Sequence, residues 1–225
     1  MKTRLILPVI AAFLFISCAG NTKQFVVEEY RDMRTFSSVS ILTIDLEQLY
    51  DEFPSHNFGA LRPAEQSIFE NQLVSVFRSQ TRANVNGLID STIYSKTEFQ
   101  LNRYPIKNDT LTIVSPVQGA TLTTSNRAPG FVVILDQFSF NPVEVEGGGS
   151  SYAGHETSKE TYMVFQTSYL IWDNSSGKAV AWGQVQSDQL MYPTQNRVAM
   201  YSDLLSEAFN QIVKKSPFVP VQLAS

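Results

Sequence analysis

Residues Tyr162 to Gln186 constrain the fold more than any other stretch of this chain. Two apolar runs flank Asp173-Asn174-Ser175-Ser176-Gly177, a cluster of turn formers closed by glycine, and this pattern predicts a β-hairpin. On its first strand Met163, Phe165, Tyr169 and Ile171 share one face, with Val164, Leu170 and Trp172 on the other; on its second, Ala179, Ala181 and Val185 oppose Val180 and Trp182. Strands that are apolar on both faces belong inside a sheet with a layer on either side.

The remaining pattern supplies those layers. Val39 to Leu46 is apolar in both alternating series and reads as an interior strand, followed by a connector over 47–62. Pro63 opens a helix at the position where its missing N–H costs nothing, and Ile68, Phe69, Leu73, Val76 and Phe77 form its core stripe. Asn86-Gly87 reads as a turn and Leu88–Phe99 as a strand. Residues 102–130 read as an irregular insertion, with Thr110–Val114 a short strand and Ala120–Thr124 its return. Phe131–Phe140 is a strong strand that Asn141-Pro142 should end; Val143 to Lys159 then reads as an acidic, glycine-rich loop. Last comes a helix capped by Thr194 or Asn196, with Tyr201, Leu204, Leu205, Ala208, Ile212 and Val213 on one face and Pro217 as its stop. The expected fold is α+β: a mainly antiparallel sheet of about four to five strands with two main helices packed on it.

The N-terminus carries a different signal. Lys2 and Arg4 precede an apolar run, Leu5 to Ile16, of about twelve residues, too short to span a bilayer but suited to a signal peptide. It ends in Leu14-Phe15-Ile16-Ser17-Cys18, which resembles the lipobox of bacterial lipoproteins, with Phe15 standing where that family usually has Leu. The resemblance implies cleavage after Ser17 and lipidation of Cys18 by diacylglyceryl and N-acyl (palmitate-type) chains, whose buried CH₂ groups at about 0.8 kcal/mol each make a stable anchor. Ala19 after the cysteine resembles lipoproteins sorted to the outer membrane, facing the periplasm. The expected organisation is a signal peptide over 1–17, a lipidated N-terminus and tether over 18–36, one domain over 37–215 with its insertion at 102–130, and a tail over 216–225.

Composition narrows the partners. Cys18 is the sole cysteine, so neither an intrachain disulfide nor a cysteine-based metal site can form. Losing Lys2 and Arg4 would take the net charge from -4 to about -6, and no basic run interleaves with aromatics, so nucleic acid is not an expected partner.

The order strand–helix–strand–strand–strand–helix, with Trp172-Asp173-Asn174-Ser175-Ser176-Gly177-Lys178 at the hairpin turn, is similar to small envelope lipoproteins of the curli-secretion type and to the lipoprotein activators of penicillin-binding proteins. That resemblance implies a non-catalytic module, without cofactors, that docks onto an envelope protein partner.

Chemistry-bearing residues are few. His155 stands near Glu144, Glu146 and Glu156, and His56 near Asp51 and Glu52, where an imidazole beside carboxylates can bind a metal or act as a base. No metalloprotease, nucleophile-elbow or phosphate-loop motif occurs, so no catalytic, metal or cofactor-binding residue is assigned. Asp136, inside a strong strand, is the most conspicuous carboxylate. The expected function is a lipid-anchored scaffolding, binding or assembly module of the envelope. The alternatives are an enzyme of envelope polymers using carboxylates such as Asp136 or Glu146, or a small-ligand-binding lipoprotein.

Overall fold

A computed structural model describes residues 23–44, 46–59, 61–123, 128–146 and 159–221. Eight strands and four helices follow in chain order: β1 (Lys23–Val26), α1 (Glu28–Arg31), β2 (Ser38–Thr43), α2 (Leu46–Leu49), α3 (Pro63–Gln80), β3 (Asn84–Leu88), β4 (Phe99–Ile106), β5 (Asp109–Pro116), β6 (Phe131–Glu146), β7 (Lys159–Asp173), β8 (Lys178–Leu190) and α4 (Arg197–Lys214). Six strands make one sheet in the order β1-β8-β7-β6-β2-β3, and β4 and β5 make a separate two-stranded sheet. Among the described residues no helix is long and apolar enough to cross a membrane.

The sheet is mixed, which corrects the expected mainly antiparallel sheet of four to five strands with two helices. β2 runs parallel to both β6 and β3, while β6, β7, β8 and β1 alternate antiparallel. The parallel pair β2–β3 is joined through α3, the kind of crossover that a parallel connection needs. Asn86-Gly87 is not a turn but a bulge within β3. Val39 opposes Val85 while Ser40 opposes Gly87, and Gly87 takes a φ of 134°, which suits glycine. Beyond β3 the expected strand is instead a single 3₁₀ turn over Ser91–Ser95, capped by the Asp90 carboxylate accepting from the Thr92 N–H.

The sheet buries both faces. One packs under α3 and α4, joining Phe69, Leu73 and Phe77 with Phe165, Tyr169, Ile171, Leu204, Leu205 and Phe209. The other, with Leu42, Ile134, Leu170, Trp172 and Trp182, packs under the β4–β5 hairpin and the 3₁₀ turn. The organising hairpin therefore lies inside the sheet. The facing of its second strand differs from the expected alternation: Ile171 opposes Ala181 and Trp172 opposes Ala179, so Val180 is an extra residue that joins Ala181 and Val185 on the helix side. Within the 102–130 insertion, the expected strand Thr110–Val114 lies in β5, but its partner is the preceding β4, paired from Phe99–Pro116 to Ile106–Asp109 around Lys107-Asn108; of the expected return over Ala120–Thr124, Thr124 lies outside the described residues and 120–123 form no strand.

Two further expectations change. Residues 23–31, assigned to a tether, belong to the folded body. β1 adds to the edge of β8, and the buried Tyr30 of α1 donates to Asp173 Oδ2 at 2.7 Å. Pro142 does not end β6, which continues to Glu146. Along β6, β2 reaches only Phe131–Leu135, so the outer edge of β6 near Pro142 needs no N–H donor, and proline is tolerated there.

Candidate functional site

The turn that closes the hairpin fastens several elements. Asp173 Oδ1 accepts from the Ser175 N–H at 2.8 Å and the Ser175 hydroxyl at 2.7 Å, and Oδ2 accepts from Ser176 Oγ at 2.8 Å beside the Tyr30 bond. Burial pushes the Asp173 carboxyl upward, but the donors Tyr30, Ser175 and Ser176 outweigh it and hold the group below its ordinary range. Asn174 clamps the segment after β5, accepting from the Leu122 N–H and donating to the carbonyls of Leu122 and Pro129. Gly177 sits at φ 59° against Gly119, where a Cβ would come within 2.5 Å of the Gly119 Cα. The turn motif is thus a structural junction.

A second knot forms in β6. Between Asp136 and Ser139 the strand bulges, with Gln137 at φ 53°, and turns the Asp136 carboxylate into the interior. His56 Nε2 lies 2.9–3.0 Å from both carboxylate oxygens, and the N–H groups of Val114 and Gln137 donate to them at 3.0 and 2.8 Å. The His56 and Asp136 side chains are 2% and 0% exposed. Gly59 lets the 56–59 segment close over the bulge, since a Cβ there would come within 2.6 Å of the Phe138 backbone. The sequence had set His56 beside Asp51 and Glu52, which are exposed; its partner is eighty residues away instead. Sealed on all sides, this pair ties the connector, β5 and β6 together.

Next to the knot, where β2 ends, a cleft of about 300 Å³ opens between α2, the first half of α3 and the bulge. Its floor is the stacked pair Phe69 and Phe138, 4.9 Å apart, and its rim carries Glu47 and Glu70, the latter accepting from Gln66 Nε2 at 2.9 Å. Behind it, buried Glu65 accepts from the Arg62 N–H, the Arg62 guanidinium and the Tyr201 hydroxyl, linking the start of α3 to α4. Burial raises the Glu65 carboxyl, and the Arg62 and Tyr201 donors bring it below its usual range.

Other residues singled out from sequence are scattered. Glu144 and Glu146 lie on the exposed end of β6, with Glu144 3.6 Å from Lys159. Cys18, His155 and Glu156 lie outside the described residues. Among the described residues no three His, Cys, Asp or Glu side chains are grouped to hold a metal ion. Sequence reasoning missed both the His56–Asp136 pair and the Glu47–Glu70 rim, because each joins residues from separate elements; Gly59 is the one local sign of a close approach.

No protein-family model matches the chain, and no curated protein matches it. Among solved structures, it is similar to a PelC dodecamer from Paraburkholderia phytofirmans, at 9% identity over 84% of this chain and 95% of that chain, with a TM-score of 0.40. A single-substitution variant of that dodecamer gives 8% identity, 86% and 98% coverage and a TM-score of 0.40. A minor lipoprotein from Acinetobacter baumannii gives 7% identity, 79% and 86% coverage and a TM-score of 0.30. Likeness at this level assigns neither a family nor an activity to the chain.

Proposed function

We propose that the chain is a lipoprotein of the cell envelope, anchored through Cys18, whose folded body is a non-catalytic binding, scaffolding or assembly module for an envelope protein partner. One observation carries this reading: the basic residues, apolar run and Ser17-Cys18 junction of the leader. The proposed location is the outer membrane, facing the periplasm, in keeping with Ala19 after the cysteine. Support from the body is the structural use of its conspicuous polar groups, since Asp136, His56, Asp173 and Glu65 are all engaged in holding elements together. Crosslinked membranes solubilised gently, with the lipidated protein captured from them, test the module reading. Recovery of a stoichiometric envelope partner is expected, and recovery of the protein alone contradicts it.

The cleft favours a second reading, a small-ligand-binding lipoprotein. Its volume of about 300 Å³ reaches the lower range of ligand pockets, and it pairs an aromatic floor with carboxylates at the rim. Glu70→Gln together with Phe69→Leu would then abolish binding of the ligand found by screening envelope metabolites against the pure protein.

A further inference from the structure

The described residues do not cover the sheet along its whole length. On the face away from α3 and α4, the β4–β5 hairpin caps Trp172 and Trp182, whose indole N–H groups donate to the Ala120 and Pro105 carbonyls. That cover ends at the hairpin turn, where Asp109 meets Lys23 at 2.7 Å. Beyond it β6, β7 and β8 run on with polar Gln166, Gln184 and Gln186, and then with an apolar row across the three strands, Val143–Tyr162–Leu190, beside Val145. Val143 and Val145 are 42% and 46% exposed.

The start of β1 says what lies nearby. Lys23 opposes Gln184 and Val26 opposes Ala181, so the first residue of β1 is the one nearer this end of β8. Cys18 is five residues from Lys23, so its Cα lies no more than about 18 Å from it. Gln184 pairs with Ser168, and the nine residues from there to Lys159 carry the bare end about 30 Å past the same level. A body held that closely and turned with its long end toward the membrane brings that end into the lipid.

We propose that the bare end of the sheet, with Val143, Val145, Tyr162 and Leu190, rests in the headgroup and upper acyl region of the membrane that holds Cys18; this builds on the lipid anchor proposed above. A tyrosine beside aliphatic side chains suits that depth. The surrounding Glu144, Glu146, Glu160 and Asp188 favour a zwitterionic over an anionic lipid surface.

Acylation consumes the Cys18 thiol, so a cysteine introduced by Val143→Cys becomes the one site for a polarity-sensitive dye in the full lipidated chain. Reconstituted in phosphatidylcholine vesicles, the dye at position 143 should shift to the blue and be quenched by headgroup-level spin-labelled lipid. A dye placed by Ser75→Cys on the exposed side of α3 should do neither. Vesicle-bound protein whose position-143 dye is unquenched overturns the docking and leaves the anchor standing. Energy transfer between position-143 dyes without lipid quenching gives the face to a second copy and overturns it too. Protein that stays off the vesicles overturns both.

Discussion

Asp136 shows how a buried carboxylate is used for structure. It accepts from His56, Val114 and Gln137 with no exposed surface, so Asp136→Ala strands three donors in the interior. A loss of about 3 kcal/mol or more is expected in chemical denaturation, against a smaller loss for Asp136→Asn, which keeps one acceptor. Equal, negligible losses would refute the knot. Asp173 and Glu65 give the pH dependence. Both carboxyls titrate lower in the folded protein than in the unfolded chain, so between the two values the unfolded chain binds more protons. Their stabilisation is complete above an unfolded value of about 4 and is lost as pH falls through the folded values. Denaturation midpoints should therefore drop below about pH 4, and Asp173→Asn should lower stability at pH 7 while flattening that drop.

At the level of elements, the short β1 is the sensitive part. Gly183 of β8 lies under it, and a Cβ at that position would come within 2.5 Å of the Lys23 carbonyl oxygen. Gly183→Val should detach β1, seen as lost hydrogen-exchange protection at Phe25 and Val26 while Ile171 and Leu170 stay protected; unchanged protection at β1 would contradict the pairing. Strong periodicity made the sheet centre and both long helices legible. Pro63 starts α3 and Asn196 caps α4, accepting from the Val198 and Ala199 N–H groups as its sequence position suggests. What could not be read was set by contacts distant in sequence. β1 has four residues and no periodicity of its own, so its place is set by partners distant in sequence, Trp182 stacked on Phe25 at 4.5 Å and Asp109 against Lys23. The bulges at Asn86, Gln137 and Val180 shift facing by one residue, which alternation alone does not foretell. For the same reason the knot and the cleft were invisible: His56 and Asp136, or Glu47 and Glu70, meet only after the sheet has formed.

For the whole molecule, two cores on either side of one sheet leave the body able to stand without disulfides, as a chain whose sole cysteine is Cys18 requires. Incorporation of β1 into that body also brings the proposed anchor close to the fold, in place of the long tether read from sequence. The most direct measurement is the intact mass of the mature protein extracted from membranes in detergent. The expected product is a chain starting at Cys18 and carrying a diacylglyceryl group and an N-acyl chain, with Cys18→Ala protein keeping its leader or appearing in the soluble fraction. A mature wild-type chain without lipid, or one retaining residues 1–17, would contradict it.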